Sequence, residues 1–404
     1  MDGYRCIACD TRQGADYAGF VCPVCGGNLD ITYDYAAAGP DFGAREGMFR
    51  YASLLPCPDP GETLPLTIGG TPLYRAQRLG ASAGLGNVWL KDETGNPSSS
   101  IKDRASAVAL LRGVATGADT VAVASTGNAG SSTACLAAAM GLRAVVFVPE
   151  TAPAAKLTQS LAYGARVLAV RGSYDDAYDL CLQVCAERGW FNRSTGFNPF
   201  TREGKKTSSF ETWEQLGRVP DRVIVPTGDG NILSGAWKGW RDLQAAGLIE
   251  RLPRIDCAQS DGSAAICRTI ERIRNDGQEP NWQTIDVESV AASTVADSIS
   301  VDQPRDGLAA VRAVIESGGE AVTVSDDEIL AAIGELAGLA GVFAEPAAAA
   351  PWAAAKRLLA NGRIDKDETV VLLITGNGLK DIGAVPAGKP MLVDANPESV
   401  RAVL

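Results

Sequence analysis

Histidine is absent from this chain of 404 residues. That absence excludes every Ser-His or Cys-His nucleophile pair, every histidine metal ligand and every histidine general base. A surplus of positive charge is also lacking: 37 Lys plus Arg stand against 48 Asp plus Glu, a net charge of −11. The sign argues against a nucleic acid or an anionic membrane surface as partner. No apolar run approaches the roughly 18 to 20 residues that span a bilayer. Arg143 interrupts the stretch that starts at Ala134, and Glu345-Pro346 interrupts the Ala-rich one. The opening Met1-Asp2-Gly3-Tyr4-Arg5-Cys6 has no signal-peptide core. A cytoplasmic protein without a membrane partner is expected. Internal repeats and long low-complexity segments are missing too. Chemistry must therefore come from lysine, carboxylates, hydroxyls, thiols or a cofactor.

What is present begins with ten cysteines, of which six (57, 135, 181, 185, 257 and 267) are scattered through apolar or helical contexts and read as reduced, buried small hydrophobes. The other four are grouped as Cys6-Ile7-Ala8-Cys9 and Cys22-Pro23-Val24-Cys25-Gly26-Gly27. Each Cys-x-x-Cys turn directs two thiolates at one ion, and the two glycines let the backbone curl beneath the second pair. Four ligands with no open position predict a structural zinc ribbon over residues 1–35. A linker rich in Ala, Gly and Pro follows, from Tyr35 to Arg45.

Beyond it, continuous apolar runs start at Val121, Ala144, Val167, Val223 and Val370. They alternate with helical stretches such as Lys102 to Val114, Ser131 to Met140 and Tyr174 to Arg188. Strands apolar on both faces between helices predict an α/β fold with mostly parallel sheets. Ligands bind such sheets at the carboxyl ends of strands, near helix N-termini. Three turns stand there: Ser125-Thr126-Gly127-Asn128-Ala129-Gly130, Thr227-Gly228-Asp229-Gly230-Asn231 and Thr375-Gly376-Asn377-Gly378. None is a Walker A loop or a G-x-G-x-x-G fingerprint, so a shared site of another kind is expected.

With histidine missing, a lysine able to form an imine is the natural centre. Lys102 lies in Asn96-Pro97-Ser98-Ser99-Ser100-Ile101-Lys102-Asp103-Arg104, where a polar loop turns into a helix. That motif, the Ser-Thr-Gly-Asn loop, the glycine-rich loop at 227–231 and the terminal Thr-Gly-x-Gly-Leu-Lys-Asp occur in the order found in threonine synthases. The chain resembles that family of fold-type II pyridoxal-phosphate (PLP) enzymes over about residues 47 to 385. Gly70-Thr71-Pro72-Leu73, Asn198-Pro199, Glu203-Gly204-Lys205-Lys206-Thr207 and Glu345-Pro346-Ala347 add to the likeness, and the four-cysteine ribbon is similar to that of microbial members.

The resemblance implies a tryptophan synthase β-like fold: two parallel-sheet domains, the large one from 36–104 and 206–404, a small one inserted at 105–205, and the N-terminal ribbon. It implies that Lys102 carries PLP and moves protons, that Asn128 donates to the cofactor's phenolic oxygen and that Thr375 bonds its ring nitrogen. Gly228, Asp229, Gly230 and Asn231 would hold its phosphate, with the Asp229 carboxylate turned away as a cap. Ser125, Thr126 and Gly127 would bind the α-carboxylate of an amino-acid substrate. The implied reaction is O-phospho-L-homoserine plus water to L-threonine plus phosphate, with a homodimer as the expected assembly. The alternatives are a paralogue acting on an O-phosphoserine-type substrate and a serine/threonine dehydratase; a non-catalytic module is disfavoured by the retained Lys102.

One departure bears on the substrate. Many threonine synthases read Asn-Ser-x-Asn-Pro-x-Arg-x-Glu-Gly, where Asn, Ser and Arg grip the substrate phosphate with a Thr after the cofactor-binding Asn. The matching positions here are Thr195, Gly196, Thr201 and Ala129, and the family's His in the last motif is Asn377. Arg202, Lys205 and Lys206 stand nearby as replacements, and Arg202 is the expected substrate contact.

Overall fold

Which stretches become strands follows from where both faces can be covered. The computed structural model describes residues 1–38, 42–385 and 388–404. In chain order the strands are β1 Gly3–Cys6, β2 Arg12–Gly14, β3 Leu29–Thr32, β4 Leu73–Arg75, β5 Asn87–Asp92, β6 Thr120–Ala124 and β7 Arg143–Pro149. They continue as β8 Arg166–Val170, β9 Phe191–Asn192, β10 Arg222–Pro226, β11 Arg254–Ser260, β12 Ala321–Val324 and β13 Thr369–Ile374. The first three form an antiparallel sheet in the order β2-β1-β3. A four-stranded parallel sheet, β8-β7-β6-β9, draws only on residues 120–192. The third sheet runs β12-β11-β10-β13-β5-β4, parallel except for β4 at its edge.

The apolar runs predicted as strands fall on β6, β7, β8, β10 and β13. Every residue of β6, β10 and β13 is buried, as expected when helices cover both faces. Not foreseen were β5 and β11, which carry buried charges that blur the apolar run. Lys91 of β5 pairs with Glu211 at 2.7 Å, and Asp256 of β11 pairs with Arg222 of β10 at 2.7 Å. The Pro346–Ala360 helix packs against the large sheet through Ala347 to Ala350 and Ala353 to Ala355, all buried. Short side chains let its backbone approach the strands closely, while Trp352 fills the space toward the flanking helix.

Of the expected linker, Tyr35–Ala38 form a single helical turn, residues 39–41 lie outside the described residues, and the Phe42 ring packs 4.8 Å from that of Tyr51. The six scattered cysteines are free thiols; five are buried and Cys57 is half-buried. No helix among the described residues is long and apolar enough to cross a membrane.

Candidate active site

Three strands, β6, β10 and β13, end in the three turns singled out from the sequence. The lysine loop lies directly against the turn after β13. Ile101 N donates to Thr375 O at 2.9 Å, Asn377 N donates to Ser99 O at 3.1 Å, and Ser100 bridges Gly376. The Glu345 segment lies beside the same turn, with Glu345 N donating to Gly376 O at 3.0 Å. Gly376 is obligatory here, because a Cβ would stand 2.3 Å from Glu345 Oε1. Asn128 opens the helix after β6 and donates its side-chain amide to both oxygens of Glu345, at 2.8 and 3.0 Å.

Lys102 is the first residue of the Lys102–Ala115 helix. Its amine has no hydrogen bond or ion pair among the described residues. Burial lowers its pKa below the usual 10.5; Asp229 and Glu345 oppose that shift, and the charge of Arg193 adds to it. An unpaired, easily deprotonated amine is what imine formation and proton transfer require. The residues after it anchor the loop. Asp103 accepts from Ser98 N at 2.6 Å and from Ser98 Oγ at 2.5 Å. Arg104, fully buried, binds Glu93 and Glu211 through bonds of 2.6 to 2.9 Å and takes Thr71 and Thr207 as further acceptors. The Lys-Asp-Arg run is thus one free amine and two fasteners.

The loop after β10 ends at Asn231, first residue of the Asn231–Ala245 helix. Gly230 has φ +93, and a Cβ there would meet Asp306 O at 2.7 Å; one on Gly228 would meet Ile299 Cα at 2.9 Å. The cradle is therefore backbone only, open to a phosphate at a helix start. Asp229 Oδ1 accepts from Asn231 N at 3.1 Å, the capping geometry expected of it. Its charge still acts on Lys102, Arg193 and Lys205. A free amine beside a backbone cradle fits a cofactor that carries an aldehyde and a phosphate.

Between the sheets lies a cleft of about 320 Å³ whose lining includes Ser99, Asn128, Ser131, Gln159, Glu345 and Lys380. Ser125, Thr126 and Gly127 are half-exposed at the start of the Asn128–Ala139 helix. Thr375 is buried at the end of β13. Lys380, which no local pattern marks as a site residue, donates to Gln159 Oε1 at 2.6 Å and Ser98 O at 2.8 Å.

Arg202 is not brought to this cleft. It is buried and turned toward the ribbon, pairing with Asp306, donating to Asp30 and Leu29 O at 3.1 Å each, and to Ser234 Oγ at 3.1 Å. With those acceptors around it, the expected substrate contact is a fastener between the Phe200–Lys205 helix and β3. Lys206 is equally committed, to Glu203 at 2.5 Å and Asp242 at 2.7 Å. Of the three neighbouring cations only Lys205 faces Lys102; its amine donates to Asn231 Oδ1.

At the other end of the chain the sulfurs of Cys6, Cys9, Cys22 and Cys25 all lie within 4.8 Å of one another. Gly27 passes beneath them, where a Cβ would stand 3.2 Å from Cys25 Sγ and 3.3 Å from Cys6 Sγ. The ribbon docks on the loop that precedes the Phe200–Lys205 helix, through Asn28 Nδ2 to Gly196 O at 2.5 Å and through Phe20 against Phe191, Phe197 and Phe200.

Comparison with known proteins agrees with this geometry. Residues 64–376 match the family described as pyridoxal-phosphate dependent enzyme. Threonine synthase of Methanocaldococcus jannaschii is 36% identical over 410 residues, covering 99% of this chain and 98% of that protein. The Methanosarcina acetivorans threonine synthase gives the same identity and coverage, and that of Mycobacterium leprae is 34% identical over 85% of this chain and 92% of its own. Among solved structures, threonine deaminase isoform 2 from Solanum lycopersicum superimposes with a TM-score of 0.64 at 22% identity, covering 76% of this chain and 79% of that one. Maize serine racemase gives 0.64 at 21% identity, over 76% of this chain and 88% of that one; both show the fold alone. The chain belongs to the threonine synthase family of pyridoxal-phosphate dependent enzymes, carbon–oxygen lyases of fold type II.

Proposed function

We propose that this chain converts O-phospho-L-homoserine and water into L-threonine and phosphate, with Lys102 as its catalytic residue. The observation that carries the reading is the unpaired Lys102 amine among three strand-end turns, in a chain alike over its full length to threonine synthases. When bound, pyridoxal phosphate supplies the sink for negative charge that develops beside the substrate's α carbon. The backbone of Gly228, Asp229, Gly230 and Asn231 holds its phosphate, Asn128 is the donor for its phenolic oxygen, and Thr375 the partner of its ring nitrogen. Ser125, Thr126 and the N–H groups of the Gly127 turn bind the substrate carboxylate at a second helix start. Lys102 Nζ accepts a proton from the α carbon and then one from the β carbon. Phosphate departs from the γ carbon with the electron pair of its C–O bond. Protons return to the γ and α carbons, and water adds at the β carbon.

Residues 105–205 are read as a small domain inserted in the larger one. Lys156 reaches from its Ala154–Ala162 helix to Asp297 at 2.8 Å and Asp381 at 3.4 Å. With these contacts holding its rim, further closure of the cleft on substrate would exclude water until the step that needs it.

The four-cysteine cluster is read as a structural zinc site. A tetrahedral ion with sulfur at about 2.3 Å sets its sulfurs roughly 3.8 Å apart. Sγ separations of 3.4 to 3.7 Å match that spacing.

A second reading, replacement or elimination on another activated amino acid with a smaller or differently charged leaving group, O-phosphoserine-type substrates included, is favoured by Thr195, Gly196, Thr201 and Ala129 at the positions where the family grips its phosphate. Steady-state phosphate release from O-phosphohomoserine beside O-phosphoserine, with serine and threonine deamination as controls, decides between them. A specificity constant highest for O-phosphohomoserine supports the first reading. One highest for O-phosphoserine replaces it with the second.

A further inference from the structure

Two cations lie buried beside Lys102 with no carboxylate in ion-pair contact among the described residues. Arg193, wholly buried, spends its guanidinium on neutral oxygens: Ser106 Oγ at 3.0 Å, Thr195 Oγ1 at 2.9 Å and Lys102 O at 3.5 Å. Lys205, also wholly buried, donates to Asn231 Oδ1. Other fully buried cations of the chain are matched by acids, as Arg104 is by Glu93 and Glu211, Lys91 by Glu211, Lys206 by Glu203 and Asp242, and Arg222 by Asp256. A buried charge without a partner is among the most expensive groups a fold can hold. Burial and the neighbouring charges of Lys102 and Arg193 hold the Lys205 amine well below its usual value, and burial brings the Arg193 guanidinium down to about 10. Asp229, in the phosphate cradle, is near enough to act on both without touching either.

The surroundings indicate which anion completes the pair. Around the two cations, Lys102, Thr195 and Asp229 are half-exposed, so Arg193 and Lys205 lie one layer beneath residues that solvent reaches. Each cation is also linked to a residue that stands where the family grips phosphate. Arg193 bonds Thr195, and Lys205 shares the acceptor Asn231 Oδ1 with Thr201, whose hydroxyl lies 3.5 Å from it. Thr201 and Lys205 are one helical turn apart, so a cation lost at the first position is regained from the second.

We propose that Arg193 and Lys205 form the cationic floor of the subsite for the substrate's phosphate, a phosphate monoester dianion, and so determine specificity for a phosphorylated amino acid. The inference rests on the reading of the substrate given above. The cofactor's phosphate is the other source of the same dianion, but it has the backbone cradle of 228–231 at a helix start.

The test uses the holoenzyme with Lys205→Met and, in parallel, Arg193→Gln. Three quantities are measured: cofactor Kd by absorbance, calorimetric binding of inorganic phosphate to holoenzyme, and KM for O-phosphohomoserine. The expected result is a cofactor Kd within threefold of the parent, with phosphate affinity and KM each worsened tenfold or more. Weakened cofactor binding with unchanged phosphate affinity would assign the cations to the cofactor and overturn the proposal. If Lys205→Met does not fold, Arg193→Gln carries the same criteria. If the parent does not turn over O-phosphohomoserine, the proposed reaction fails. The phosphate titration then still decides the subsite, and a parent that binds no phosphate refutes it.

Discussion

The Asn128 side chain, from the helix after β6, donates to both carboxylate oxygens of Glu345, at 2.8 and 3.0 Å. Glu345 caps the helix of the large sheet that begins at Pro346, so this one amide links the two sheets across the cleft. Burial pushes the Glu345 carboxyl up, and Asn128 works against that shift by bonding the charged form. Asn128→Ala therefore removes the partner of a buried acid and, on the proposed reading, a cofactor donor. A hydrogen bond to a charged group contributes about 1.5 to 3 kcal/mol. PLP affinity, read by absorbance titration, should fall roughly tenfold or more; an unchanged Kd would exclude Asn128 from the cofactor site.

Lys102→Ala should abolish turnover while leaving the fold intact, since the Lys102 amine has no fastening contact to lose. Borohydride treatment of holoenzyme should fix the cofactor to a peptide that contains residue 102. Label on Lys205 or Lys380 instead would move the catalytic role.

Arg202→Met separates a substrate contact from a fastener. Because its guanidinium joins Asp306 and Asp30 rather than the cleft, KM for O-phosphohomoserine should stay within about twofold. Stability should drop, because removing one partner of a buried pair costs about 3 to 5 kcal/mol. A large KM rise without a fall in Tm would return Arg202 to the substrate.

Acid stability should depend on the cluster that anchors the lysine loop. Burial alone would raise the Glu211 carboxyl, but Arg104 and Lys91 outweigh it and hold it at about 2 against 4.5. The folded value lies below the unfolded one, so the contribution is present above about pH 4.5 and is lost as pH falls toward 2. It is on the order of 3 kcal/mol. Urea unfolding between pH 5 and 3 should show a shallower loss of stability in Glu211→Gln than in the parent; equal slopes would contradict the assignment.

Metal analysis of protein purified without chelator should find one zinc per chain. The ribbon is three short strands around a few apolar side chains, too little to hold its shape alone. Cys9→Ser should lower Tm more than it lowers kcat of the folded fraction. Protein free of zinc with an unchanged Tm would remove the metal from the account.

Strand periods, the paired Cys-x-x-Cys turns and three glycine-rich turns are local patterns, so the sequence by itself determined the α/β class, the four-cysteine cluster and the three turns that meet beside Lys102. Runs such as β6 and β13 are buried on both faces and carry no charge, which makes them legible without a partner. The charged strands β5 and β11 are not, since Lys91 and Asp256 become tolerable in a sheet only when Glu211 and Arg222 arrive from more than 30 residues away. The same reason separates the cations near the site. Arg202, Lys205 and Lys206 are near neighbours in one segment and look equivalent in a string of letters. Only the tertiary structure decided that Asp306 takes the first and Glu203 with Asp242 the third, leaving Lys205 facing Lys102. Charge pairing is set by distance in space, and that distance does not exist until the helices have packed.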